Sequence, residues 1–169
     1  MVTARLGGGF SRINFVSVQL LAHGVAEYLC ENHDRNELAN AGVAIGFDSR
    51  FDSQGFAQTM AAVFKAYGVR VFLIDRPAVT PFFSYFCYKF KCLLGLLVTG
   101  RDLPKTHSGV SVFDGKGRLV SQEISASLDK SIVEYSKRLY YLVDLSPLFD
   151  YSAKKVRFKP DNFTDVTMK

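Results

Sequence analysis

Between Thr99 and Ser108 the chain reads TGRDLPKTHS, bringing Thr99, Arg101, Asp102, Lys105, Thr106, His107 and Ser108 into one stretch around Pro104. This stretch follows Leu93 to Val98 (LLGLLV), a mostly large apolar run that suits a fully buried central strand. Polar groups clustered after a buried strand are where α/β proteins place ligand chemistry. Arg101 and Lys105, with Arg50 from GFDSR, are the anion-binding candidates. Arg50 lies close to both Asp48 and Asp52, and an arginine beside carboxylates more often serves structure. A Ser108/His107/Asp102 triad can be drawn, but near neighbours in one loop do not usually orient one another as nucleophile and base.

The other chemistry-bearing residues are dispersed. His23 falls in the middle of a helical pattern as a packed surface residue, and His33 falls in a polar loop. Cys30, Cys87 and Cys92 are odd in number, sit in apolar surroundings and lack C-x-x-C spacing, so they read as buried thiols. No phosphate-loop, H-E-x-x-H or dinucleotide motif is present. Gly7-Gly8-Gly9 precedes a helix but follows no expected strand, which weakens a phosphate cradle there. No metal ion or cofactor is expected.

The elements that must position the central loop follow from periodicity. Asn14 suits an N-cap, and Phe15, Val18, Leu21, Ala22, Val25, Ala26 and Leu29 then form one apolar stripe of a helix. The polar run Glu31 to Asn40 reads as a loop, and Gly42 to Phe47 as the first strand. Ser53 is expected to cap a helix through about Tyr67, with Phe56, Met60, Val63, Phe64 and Tyr67 inward and Gly68 ending it. Val69 to Ile74 is a second, parallel strand. A third helix starts at Thr80-Pro81, with proline where no N–H is missed. Its aromatic run Phe82 to Tyr88 resembles a stacking platform, but aromatics all round favour a helix covered on both sides. Val110 to Phe113 and Arg118 to Ser121 flank Asp114-Gly115-Lys116-Gly117 as a hairpin. A last helix from about Glu123 carries Ile124, Leu128, Ile132, Tyr135 and Leu139 on one face.

The ungapped string GLLVTGRDLPKTHSGVSVFDGKGRLV resembles the active-site segment of the phosphoglucomutase and phosphomannomutase family, the α-D-phosphohexomutases. That family carries Thr-Ala-Ser-His-Asn-Pro followed by an Asn-Gly-Tyr-Lys strand. Thr99 and Pro104 match, Gly100 stands for the Ala, Arg101 for the phosphorylated Ser, Asp102 for the His and Leu103 for the Asn. The family's Lys is Ser111. GGGFSRIN, QLLAHGVAEYL and GFDSR resemble the same family's first domain, whose opening element survives at most as Thr3 to Leu6.

The resemblance implies a three-layer αβα sandwich around a small mixed four-stranded sheet, as in domain I of the family. Residues 1–145 would form this domain and 146–169 a C-terminal extension too short for another. It further implies no catalytic residue, because Arg101 reverses the charge of the phosphoserine that helps hold a magnesium ion. The chain then reads as a catalytically inactive relative that binds a protein partner or a second copy. A sugar-phosphate or anion sensor and a fragment of a split mutase are the alternatives. The junction to a second domain would fall at Tyr135, Leu139, Tyr141, Leu142, Leu148, Phe149 and Tyr151, whose rings and leucines suit an interface.

Composition agrees with a folded α/β chain. It has 169 residues, 48% of them hydrophobic, and its longest apolar run is far below the roughly 18 residues that cross a bilayer. A soluble, cytoplasmic chain without membrane contact is expected. Net charge is +5, and the only basic cluster is Lys154, Lys155, Arg157 and Lys159. It suits a solvated tail better than a nucleic-acid contact, since no nucleic-acid-binding signature accompanies it.

Overall fold

The structure, a computed structural model, describes residues 2–9, 11–136, 149–150, 157–158 and 164–166. In chain order the elements are β1 (Val2–Arg5), α1 (Phe15–Asn32), α2 (Arg35–Asn40), β2 (Val43–Phe47), α3 (Ser53–Ala66) and β3 (Val71–Ile74). They continue as α4 (Thr80–Phe90), β4 (Leu94–Val98), β5 (His107–Asp114), α5 (Gln122–Ser136), β6 (Phe149–Asp150), β7 (Arg157–Phe158) and β8 (Thr164–Val166). The main sheet is six-stranded in the order β1-β5-β4-β2-β3-β8. Strands β4, β2, β3 and β8 run parallel, while β5 is antiparallel to both β4 and β1. Strands β6 and β7 pair separately.

Helices cover both faces of the sheet, which makes the three layers. Val43, Ile45, Leu73, Leu96 and Val110 join the core under α1, α3 and α5, whereas Ala44, Phe72, Ile74, Leu97 and Phe113 pack under α4. Every residue of β2, β3 and β4 is therefore buried, and this two-sided burial is why their sequences are continuously apolar. Helix α4 sits close to the sheet over two glycines. A Cβ on Gly95 would lie 2.2 Å from Cys87 Sγ, and one on Gly46 would lie 2.6 Å from the Phe83 ring.

Helix α1 starts as expected. Asn14 Oδ1 accepts from the Ser17 N–H and Ser17 Oγ accepts from the Asn14 N–H, both at 3.0 Å. Elsewhere the structure corrects the sequence reading. The stretch 35–40, expected as loop, is a short helix capped by Asp34, and it was hidden because it buries only Leu38. Ser53 is the first residue of α3 rather than its cap. The capping position is Asp52, left-handed at φ 59°, while Ser53 Oγ donates to Asp48 at 2.7 Å.

The sheet has six strands rather than four, because β1 at one edge and β8 at the other were not read as strands. Leu119 makes only a single bridge to Phe113, so the expected hairpin reduces to β5. His23 is buried, with Nδ1 3.2 Å from Tyr67 Oη, and Cys30 is exposed. Among the described residues helix α4 is covered on one side only, with Tyr85 and Tyr88 exposed. Of the expected interface residues, Tyr135 lies in α5 and Phe149 in β6. Leu139, Tyr141, Leu142, Leu148 and Tyr151 fall outside the described residues, as do Lys154, Lys155 and Lys159. Among the described residues no helix is long and apolar enough to cross a membrane.

Candidate functional site

The loop 99–106 joins β4 to β5 at the edge of the sheet where β2, β3 and β4 end and β1 also ends. The left-handed backbone of Arg101 (φ 49°) turns the chain at its start, and Thr99 Oγ1 accepts the Arg101 N–H at 3.0 Å. Leu103 N–H donates to the Gly100 carbonyl at 3.0 Å and His107 N–H to the Pro104 carbonyl at 2.8 Å, closing two further turns. The Leu6 N–H donates to the Thr106 carbonyl at 2.8 Å and fastens the loop to the end of β1.

A partly buried arginine organises this loop. Arg50 Nη2 donates to the carbonyls of Arg101 and Leu103 at 2.6 and 2.7 Å, and Nη1 to those of Pro104 and His107 at 2.9 and 3.3 Å. Its Nε lies 3.2 Å from Asp48 Oδ2. A guanidinium has five N–H groups, and those of Arg50 face these five oxygens. Asp48 completes the arrangement, accepting from the N–H groups of Arg50 and Gly100 at 3.0 and 3.2 Å. Gly100 leaves the room: a Cβ there would lie 2.7 Å from the Arg50 guanidinium carbon.

The sequence candidates therefore separate. Arg50 is a clamp whose donors are occupied by the protein itself. Arg101 and Lys105 are exposed in the loop it holds. A cleft of 440 Å3 opens beside them, lined by Asp48, Ala78, Val79, Thr80, Pro81, Thr99, Arg101 and Asp102. The start of α4 borders it without a side-chain cap.

The two serine hydroxyls that follow the loop are withdrawn. Ser108 is 0% exposed and Ser111 2%, and neither Oγ has a hydrogen-bond partner. His107 Nδ1 lies 3.2 Å from Thr106 Oγ1, so the drawn triad is not formed. Among the described residues no three His, Cys, Asp or Glu are grouped to hold a metal ion. The glycine run follows β1 after all, and it closes on its own helix, with Asn14 Nδ2 donating to the Gly7 and Gly9 carbonyls at 2.9 Å. Sequence reasoning missed the Arg50 clamp. The signal available was the pairing of an Asp-Ser-Arg turn with a glycine after the buried strand.

Residues 6–139 match the family model described as phosphoglucomutase/phosphomannomutase, alpha/beta/alpha domain I. A phosphoglucomutase of Staphylococcus saprophyticus is 31% identical over 131 residues, covering 78% of this chain and 23% of that protein. A phosphoglucomutase of Staphylococcus aureus is 28% identical over 168 residues, covering 99% of this chain and 29% of that protein. The chain thus spans about a quarter of the length of these relatives. Among solved structures, a phosphoglucomutase/phosphomannomutase family protein of Burkholderia thailandensis superposes with TM-score 0.60 at 16% identity, covering 80% of this chain and 29% of its own. The Paramecium phosphoglucomutase pp63/parafusin does so with TM-score 0.57 at 17% identity, covering 85% and 28%. At such identities these two superpositions speak for the fold alone.

Proposed function

Since the chain belongs to the phosphoglucomutase/phosphomannomutase family through its domain I, we propose that it is a catalytically inactive member that acts by binding a protein partner. The observation that carries this reading is the side chain at the family's nucleophile position: Arg101 stands there on a loop locked by Arg50, and the neighbouring Ser108 and Ser111 hydroxyls are buried. A guanidinium that stays protonated has no free lone pair with which to attack phosphorus as a serine hydroxyl does, and its charge opposes a magnesium ion. What the edge does offer is apolar contact area. Phe51, Val79 and Leu103 are 76%, 68% and 37% exposed on the loops that end at this edge, and exposed apolar groups with polar neighbours suit a docking surface.

The test has two arms. Incubation with a labelled hexose bisphosphate should leave the chain unlabelled, where a working phosphoserine domain would become a phosphoprotein. Partner recovery with identification by mass spectrometry should then fail for Phe51→Ser/Leu103→Ser at unchanged thermal stability. Labelling of the chain, or recovery indifferent to that pair, counts against the reading.

A second reading is favoured by the cleft at the start of α4, where Arg101, Thr80 and Thr99 could receive a sugar phosphate. Calorimetric titration with glucose 1-phosphate separates the two, because saturable binding lost in Arg101→Ala supports only the sensor.

A further inference from the structure

The outer side of α4 differs from every other helix face of the described chain in joining exposed rings to unopposed positive charge. Tyr85 and Tyr88 are 58% and 61% exposed and lie three residues apart, so they share one face with Lys89, four residues after Tyr85. Phe90 continues the aromatic row, stacked on Phe86 at 4.3 Å between ring centroids and packed on Phe72 at 5.5 Å. Helix α4 contains no acidic residue.

The turn after β5 widens this surface. Gly117 is pressed against the Ser84 carbonyl, and Gly115 against the Cys92 carbonyl, so the turn lies along α4 and its exit. Exposed Lys116 and Lys91 are thereby brought to the same side. The carboxylate of the turn, Asp114, is taken up by the N–H groups of Lys116 and Arg118 and by the Arg118 guanidinium.

We propose that this face binds single-stranded nucleic acid, with bases stacking on Tyr85 and Tyr88 and phosphates neutralised by Lys89, Lys91 and Lys116. Charge complementarity calls for a polyanion. The choice of nucleic acid over an acidic protein rests on the residue types: protein interfaces are depleted in lysine and favour arginine, whereas mobile ammonium groups beside flat rings suit a phosphate chain with its bases turned inward. Binding of this kind is tolerant of sequence and sensitive to salt.

The test is fluorescence anisotropy with a labelled oligouridylate of about 12 nucleotides, using the full chain with Lys154, Lys155, Arg157 and Lys159 changed to Gln. The expected dissociation constant is about 10 to 100 µM, with a logarithmic salt slope of about −2 for three lysines, hence a roughly 20-fold loss between 50 and 200 mM salt. Tyr85→Ser/Tyr88→Ser should weaken binding about tenfold or more with the slope kept, and Tyr85→Phe/Tyr88→Phe should restore it. Lys89→Gln/Lys116→Gln should flatten the slope to about −0.7. Circular dichroism melts confirm that each variant folds. Absence of binding, binding indifferent to both tyrosines, binding carried wholly by the tail lysines, or equal binding of labelled polyglutamate would each overturn the proposal.

Discussion

Arg50 holds Arg101 by its backbone: Nη2 donates to the Arg101 carbonyl at 2.6 Å, so a partly buried cation just after β2 fixes the placement of an exposed one after β4. The clamp reads carbonyl oxygens, which any side chain at position 101 would supply. Arg50→Ala should therefore lower stability by about 1 to 2 kcal/mol, because it removes charge-assisted bonds whose carbonyl acceptors are mostly exposed and can turn to water. Amide exchange at residues 100–107 should speed up before the rest of the sheet is affected. Arg50→Lys should recover only part of this, since an ammonium cannot face five oxygens at once.

Ser108→Ala and Ser111→Ala should be neutral or stabilising by up to about 1 kcal/mol in urea unfolding, because each removes a buried hydroxyl without a partner. A loss above that size at either position would show that the hydroxyl is satisfied in solution.

Burial holds His23 below its usual pKa of 6.5, with Tyr67 Oη as its neighbour. Between that lowered value and 6.5 the unfolded chain binds more protons than the native one, so stability is complete above about pH 6.5 and falls as the pH drops. The slope from this residue should reach at most about 1.4 kcal/mol per pH unit. Urea titrations from pH 7.5 down to 5 check this, and His23→Gln should remove the slope.

Much of this architecture was legible because single residues state it. Asn14 announces the capping box of α1, the apolar run ending at Val98 announces a strand covered on both faces, and Pro81 announces the start of α4. Strand β1 was not legible, because VTAR is a short edge with mixed burial and no clean alternation. The role of Arg50 was hidden for a different reason: its acceptors arrive from residues 101–107, about fifty positions away, and backbone carbonyls leave no mark in a sequence. Exposure of Tyr85 and Tyr88 was equally hidden, since aromatic density alone does not say how many sides of a helix are covered.

Arg101→Ser/Asp102→His gives both positions the residue types that the resemblance assigns to the family. Phosphoryl transfer nonetheless depends on groups converging from several elements, and residues 6–139 match domain I. The double variant should take up label slowly at most and should not turn over. Coupled spectrophotometric assay of glucose 1-phosphate isomerisation checks this.

The most direct measurement is the same coupled assay on the unaltered chain, with glucose 1-phosphate, magnesium and a bisphosphate activator. The proposed loss of the nucleophile at Arg101 predicts a rate equal to the enzyme-free background at every protein concentration. A rate that rises with protein concentration and persists through further purification would contradict the account.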